Sequence, residues 1–138
     1  MRNFTFTDGS QVRPILLRQN RAGLGVSYAC GFYCRGDCAS FIFAIYIIHS
    51  NSAGEIVLPA SGFPQVVWAA NKARPVTENA TLELASDGDL VLTDAYGTRV
   101  WSSGTSGKST IWDSFSSPTD SLVPGQKLQL RKITVCCV

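Results

Sequence analysis

Thr81-Leu82-Glu83-Leu84-Ala85-Ser86-Asp87-Gly88-Asp89-Leu90-Val91-Leu92-Thr93 is the stretch that decides the fold. Leu82, Leu84, Leu90 and Leu92 all carry even numbers, so on an extended chain they face one way. Glu83, Ala85, Asp89 and Val91 face the other. Asp87-Gly88 breaks the run where a two-residue hairpin turn fits, with glycine supplying the positive φ. A second turn follows at Asp94-Ala95-Tyr96-Gly97, then Thr98-Arg99-Val100-Trp101 as a further strand. No stretch of the chain carries a 3.6-residue apolar period. The chain reads as all-β.

Working outward, Phe41-Ile42-Phe43-Ala44-Ile45-Tyr46-Ile47-Ile48 is aromatic and β-branched, the strongest strand signal present. At eight residues it is too short to span a bilayer. Asn51-Ser52-Ala53-Gly54 turns it. Before it, Gly23-Leu24-Gly25 leads into a short strand through Val26 and Tyr28, and Cys34-Arg35-Gly36-Asp37-Cys38 reads as a tight connector. Residues 1–22 read as an irregular arm, with a turn at Asp8-Gly9-Ser10 and with Arg13, Arg18 and Arg21 exposed.

The chain has 138 residues, enough for one domain that buries roughly two-thirds of its unfolded surface. Hydrophobic residues make up 45% and charged residues 16%, which excludes a disordered chain, a collagen repeat and a charged coiled coil. A net charge of +2, without a dense Lys/Arg stripe, excludes nucleic acid as a partner. Cys30, Cys34 and Cys38 are spaced by four, and Cys136 and Cys137 close the chain. A Cys34–Cys38 disulfide would staple a tight loop, whereas Cys30 needs a distant partner. Asn3-Phe4-Thr5 and Asn79-Ala80-Thr81 are candidate N-glycosylation sites, in keeping with an oxidising, extracellular setting. The first residues carry no apolar h-region, so no signal peptide is expected in this chain, nor a transmembrane segment.

Val67-Trp68, Val100-Trp101 and Ile111-Trp112 repeat a β-branched residue followed by Trp. Such a recurrence suggests copies of one sheet unit, each giving an indole to a shared core. Three unrelated core tryptophans would give the same pattern. Trp68 and Trp101 are 33 residues apart but Trp101 and Trp112 only 11, so the third unit lacks about one hairpin.

Val66-Val67-Trp68-Ala69-Ala70-Asn71-Lys72-Ala73-Arg74-Pro75-Val76 resembles a signature of the plant bulb-type (G-type, mannose-binding) lectin domain. That domain opens the ectodomains of S-locus glycoproteins and S-domain receptor-like kinases. Leu84 to Leu92 resembles the next signature and Val100-Trp101-Ser102-Ser103 its close. Trp112-Asp113-Ser114-Phe115-Ser116-Ser117-Pro118-Thr119-Asp120 through Gln126 resembles the terminal one. The resemblance implies a β-prism, three sheets about a pseudo-threefold axis, with one sheet incomplete here. It divides the chain into an arm over 1–22, an incomplete lectin domain over 23–128 and a divergent tail over 129–138.

The mannose signature of that family is Q-x-D-x-N-x-V-x-Y, in which polar side chains bond sugar hydroxyls and Val packs on the ring. Its positions fall on Ala85, Asp87, Asp89, Val91 and Thr93. Asp87 and Val91 match. Asp89 lacks the amide donor of Asn, Ala85 has no polar atom, and Thr93 is shorter than Tyr. Each hydroxyl partner left unmet forfeits about 1–3 kcal/mol, so the site is degenerate. A plain hairpin turn at Asp87-Gly88 with Asp89 as a solvated edge residue is the competing reading.

No enzyme is expected. His49 stands alone, no nucleophile elbow accompanies any Ser, and Gly23-Leu24-Gly25 lacks the rest of a phosphate loop. Cys30, Cys34, Cys38 and His49 lack a usual zinc spacing, so no metal or other cofactor is expected. Arg35-Gly36-Asp37 matches an adhesion tripeptide but reads as a stapled turn, and Cys136-Cys137 ending at Val138 fails the prenylation pattern. The resemblance leaves three outcomes. The first is an extracellular or plasma-membrane ectodomain module binding mannose-type glycans or glycoproteins. The second is a lectin scaffold that no longer binds sugar and forms homo- or heterodimers with related ectodomains. The third is a fragment without function.

Overall fold

The computed structural model describes residues 3–18, 25–50, 64–107 and 127–129. Every regular element among them is a strand: β1 Phe4–Thr5, β2 Gln11–Arg18, β3 Gly25–Cys34, β4 Ile42–Ser50, β5 Gln65–Ala69, β6 Thr81–Leu84, β7 Leu90–Thr93, β8 Arg99–Ser102 and β9 Lys127–Gln129. They form two antiparallel sheets, β1-β2-β3-β4-β5 and β8-β7-β6-β9.

The leucine alternation sets the second sheet. Leu82 pairs with Leu92 and Leu84 with Leu90, and all four are buried to 1% exposure or less. Burying one such side chain contributes about 2 kcal/mol, so a one-residue slip that turned the set outward would forfeit several times that. The leucines pack against Ile15, Phe32, Phe43, Val76 and Ala80, which join the two sheets. Along much of β4 the first sheet buries side chains on both faces, although Ile45 stays exposed. Phe43 looks to the second sheet, while Ala44, Tyr46 and Ile48 form another cluster with Phe6, Val12 and Ala29. Strands buried on both faces read as continuous apolar runs, the pattern of residues 41–48.

Residues 4–18 are not an irregular arm. They form a hairpin whose second strand pairs along β3, from Gln11 opposite Cys34 to Arg18 opposite Tyr28. A register shift between Pro14 and Leu16 interrupts the apolar alternation and accommodates the proline. Arg13 is half-buried there rather than exposed. The β3 strand is also longer than expected, running on to Cys34. Gly31 lies opposite Pro14, and a Cβ on it would collide with the Arg13 carbonyl oxygen and lie 2.9 Å from Pro14 Cα.

The two-residue turn expected at Asp87-Gly88 is a longer connector. The Gly88 N–H donates to the Ala85 carbonyl at 3.0 Å, the Ala85 N–H donates to the Asp89 carbonyl at 2.8 Å, and Gly88 has φ +86°. This is a type I turn closed by a glycine bulge. Phe6–Ser10, with Gly9 at φ +79°, and Asp94–Thr98, with Gly97 at φ +84°, close by the same pair of bonds. Asn51–Gly54, Arg21, Trp112, the terminal signature, Cys136 and Cys137 lie outside the described residues.

Candidate functional site

Asp87 occupies the last corner of the β6–β7 turn before Gly88 and is exposed. Its Oδ1 accepts the Asp89 N–H at 3.1 Å and its Oδ2 accepts the Ser106 hydroxyl at 2.6 Å. A carboxylate has about four acceptor positions, so Asp87 keeps two for an outside donor. The Ser106 hydroxyl, followed by the Asp89 amide, holds its pKa below the usual carboxylate value.

Asp89 is not a solvated edge residue. It is 7% exposed, and its Oδ1 accepts the Ser103 hydroxyl at 2.7 Å and the Thr105 N–H at 3.2 Å. The Ser103 oxygen in turn accepts the Leu90 N–H at 2.9 Å, and Thr105 Oγ1 donates to the Gly88 carbonyl at 2.7 Å. The loop after β8 therefore folds back over the β6–β7 turn, and the Gly107 N–H reaches the Asp87 carbonyl at 2.8 Å. The Ser103 hydroxyl is the main cause that lowers the Asp89 pKa. Its carboxylate is committed to holding 103–107 in place. The hydroxyl run Ser102-Ser103-Gly104-Thr105-Ser106 was the available signal for this contact.

Val91 and Thr93 alternate with buried Leu90 and Leu92 and so lie on the outer face of β7, both half-buried. Val91 stands between Glu83 of β6 and Ser102 of β8, and Thr93 between Thr81 and Arg99. Asp87 projects at one end of this face. The face offers a small apolar surface at Val91 beside the half-buried Glu83 carboxylate and the hydroxyls of Thr81, Thr93 and Ser102, with exposed Arg99 next to Thr93 and exposed Asp87 at the turn, a set suited to a polyol with an apolar side. Ala85, half-buried at the start of the turn, adds no polar group.

Asn71 carries a structural role that the sequence did not reveal. It is 4% exposed; its Oδ1 accepts the Phe43 N–H at 2.8 Å and its Nδ2 donates to the Arg74 carbonyl at 3.1 Å and the Phe41 carbonyl at 3.4 Å. With the Phe41–Val76 bridge, it clasps residues 71–76 onto the start of β4. Arg74 then reaches Asp94 at 3.2 Å, joining this loop to the β7–β8 turn.

Two of the three indoles meet. Trp68 and Trp101 stand edge to face with centroids 5.7 Å apart, and Trp101 lies 5.8 Å from Phe43. Trp68 is 41% exposed, so it stands at the rim of the seam between sheets and not in the buried core. Cys34 and Cys38 form a disulfide, Cα to Cα 5.1 Å, around a loop in which Gly36 takes φ +76°. That bond consumes two thiols of the weighed zinc set. Cys30 forms no disulfide among the described residues, and burial pushes its thiol pKa up to about 12. His49 is exposed on β4. Among the described residues no three His, Cys, Asp or Glu gather as a metal site, and no helix is long and apolar enough to cross a membrane.

No protein-family model matches the chain, and no solved structure does. Curated plant proteins do. EP1-like glycoprotein 3 of Arabidopsis thaliana is 40% identical over 85 residues, covering 47% of this chain and 19% of that protein. The epidermis-specific secreted glycoprotein EP1 of Daucus carota is 35% identical over 88 residues, covering 49% of this chain and 23% of its own length. The G-type lectin S-receptor-like serine/threonine-protein kinase SD2-5 of Arabidopsis thaliana is 27% identical over 144 residues, covering 90% of this chain and 15% of the kinase. The chain thus spans less than a quarter of each of these relatives.

Proposed function

We propose that this chain, a homologue of the EP1-like glycoproteins and the G-type lectin S-receptor-like kinases, is an extracellular lectin-like module that recognises mannose-type glycans. Recognition takes place on the outer face of β7. Asp87 accepts sugar hydroxyls, Val91 packs on the apolar side of the ring, and Thr93 adds one hydroxyl. Asp89 contributes indirectly, by fixing residues 103–107 so that Ser106 aims the Asp87 carboxylate. The observation that carries this reading is the alternation along β7, which puts Val91 and Thr93 outside with Asp87 at their end. The fold that accompanies it is a β-prism, to which the two antiparallel sheets contribute two faces.

The full chain, melted under oxidising conditions with and without excess mannose, tests the reading. Ligand bound only to the native state stabilises by about 2.7 kcal/mol at a hundredfold excess over Kd. The midpoint is expected to rise with mannose, and Asp87→Ala to abolish the rise while the melt stays cooperative. A cooperative melt with no response to mannose overturns it.

A second reading draws on the commitment of Asp89 and the bareness of Ala85. These leave fewer sugar contacts and favour a scaffold that pairs with related ectodomains. Concentration-dependent association in sedimentation, unaffected by mannose, is its signature.

A further inference from the structure

Two sequons are present, and the fold treats their asparagines differently. Asn79 sits in the turn Thr77-Glu78-Asn79-Ala80, closed by the Ala80 N–H on the Thr77 carbonyl at 3.3 Å. It is exposed and takes φ +69°, a left-handed conformation that Asn tolerates better than other side chains. Its carboxamide bonds to none of the described residues. The middle residue, Ala80, is 0% exposed and belongs to the core that joins the sheets, so its burial anchors the turn. Thr81 follows as the first residue of β6. Asn3 differs. It stands at the foot of β1, half-buried, with its Oδ1 buried and without a hydrogen-bond partner among the described residues.

We propose that Asn79 carries an N-linked glycan and that Asn3 does not. In the transfer, Asn79 Nδ2 forms a C–N bond to the anomeric carbon of an oligosaccharide held on a lipid pyrophosphate. The C–O bond to the pyrophosphate breaks, and the amide proton leaves with that group. The cell's secretory pathway supplies both the donor and the transferase. In the folded chain the Asn79 glycan projects into solvent, whereas a glycan at Asn3 would have to draw its carboxamide out of the structure.

The register also says where this glycan stands. Thr81 is the ladder partner of Thr93, so the glycan rises beside the Thr93 end of the outer face. The Asp87–Ser106 contact lies beyond the other end of β6, a strand roughly 10 Å long. The inference shares with the functional reading only passage through the secretory pathway, which the test supplies independently.

The full chain is placed behind a cleavable secretion leader and expressed in plant cells, and secreted and microsomal pools are combined. Enzymatic deglycosylation in oxygen-18 water then marks each occupied asparagine for peptide mass spectrometry. Asn79 is expected to be labelled and Asn3 unlabelled. Asn79→Gly, which suits the positive φ, and Thr81→Ala should each remove the glycan completely. Thr81→Ser should retain it, and Asn3→Gln should change nothing. An unlabelled Asn79, or a labelled Asn3, overturns the proposal. Because labelling is read on both pools, a retained variant still reports.

Discussion

Replacing Asn71 should cost the protein more than any exposed polar residue. In Asn71→Ala the Phe43 N–H loses its Asn71 acceptor; it faces the same side as the Phe43 carbonyl, which the Ala70 N–H meets at 2.9 Å, and among the described residues no other acceptor is seen for it. A buried donor left unmet costs about 1–3 kcal/mol, and each carbonyl deprived of a bond adds about 0.5–1.5 kcal/mol. The Phe41 carbonyl is partly spared because it still accepts the Val76 N–H at 2.9 Å. The expected loss is about 3 kcal/mol, or roughly 10 °C in melting temperature for a domain of this size. Urea unfolding followed by the Trp68 and Trp101 fluorescence measures it, with the midpoint falling and the slope unchanged. Asn71→Asp separates bonding from volume. The carboxylate can accept from Phe43 but meets the Arg74 and Phe41 carbonyls without a proton, so it should lose at least as much at neutral pH. A loss below about 1 kcal/mol for Asn71→Ala, or a wild-type Asn71→Asp, refutes the role assigned to this side chain.

Tyr46→Phe should stabilise by about 1 kcal/mol in the same urea assay, because the Tyr46 hydroxyl is buried without a partner among the described residues; a loss of stability would mean that it is bonded after all. Gly31→Ala should destabilise by about 3 kcal/mol, since the added methyl meets β2 backbone and not a movable side chain; a near-neutral variant would show that β2 gives way. Asp87 and Asp89 both have folded pKa values below the unfolded value of about 3.9. Their stabilisation is therefore complete above that value and drains away as pH falls through the folded values. Urea midpoints taken in acid should show this fall, and it should shrink in Asp89→Asn, which retains an acceptor but does not titrate.

What the sequence disclosed follows from how local the signal was. The alternation of Leu82, Leu84, Leu90 and Leu92 is a period of two in neighbouring residues, and no later contact alters it. The hairpin over 4–18 was hidden because its register shift falls between Pro14 and Leu16, which breaks the same period, and a proline is uncommon inside a paired strand. Asp89 was misplaced for another reason. Polar residues on the outward side of an alternation read as solvated, and the segment that covers Asp89 lies sixteen residues further on at Thr105. Asn71 entered only through the resemblance, since nothing in an isolated asparagine announces two bonds across about thirty residues and a third to its own loop. The hairpin turns were legible in place but not in type, because Asp-Gly serves both a two-residue turn and a glycine bulge.

The three glycine-bulge connectors have an evolutionary consequence. Each is closed by its own main-chain bonds, and the conformational demand rests on Gly9, Gly88 or Gly97. The two central positions carry Thr7-Asp8 in one, Ser86-Asp87 in another and Ala95-Tyr96 in the third, where Tyr96 is 92% exposed. Asp8 and Asp87 accept bonds from Ser10, Asp89 and Ser106, whereas the exposed side chains of Thr7, Ser86, Ala95 and Tyr96 can be exchanged without disturbing strand register. A lineage could discard one specificity and acquire another by drift at these four sites, and a laboratory library randomised at them would sample the same freedom.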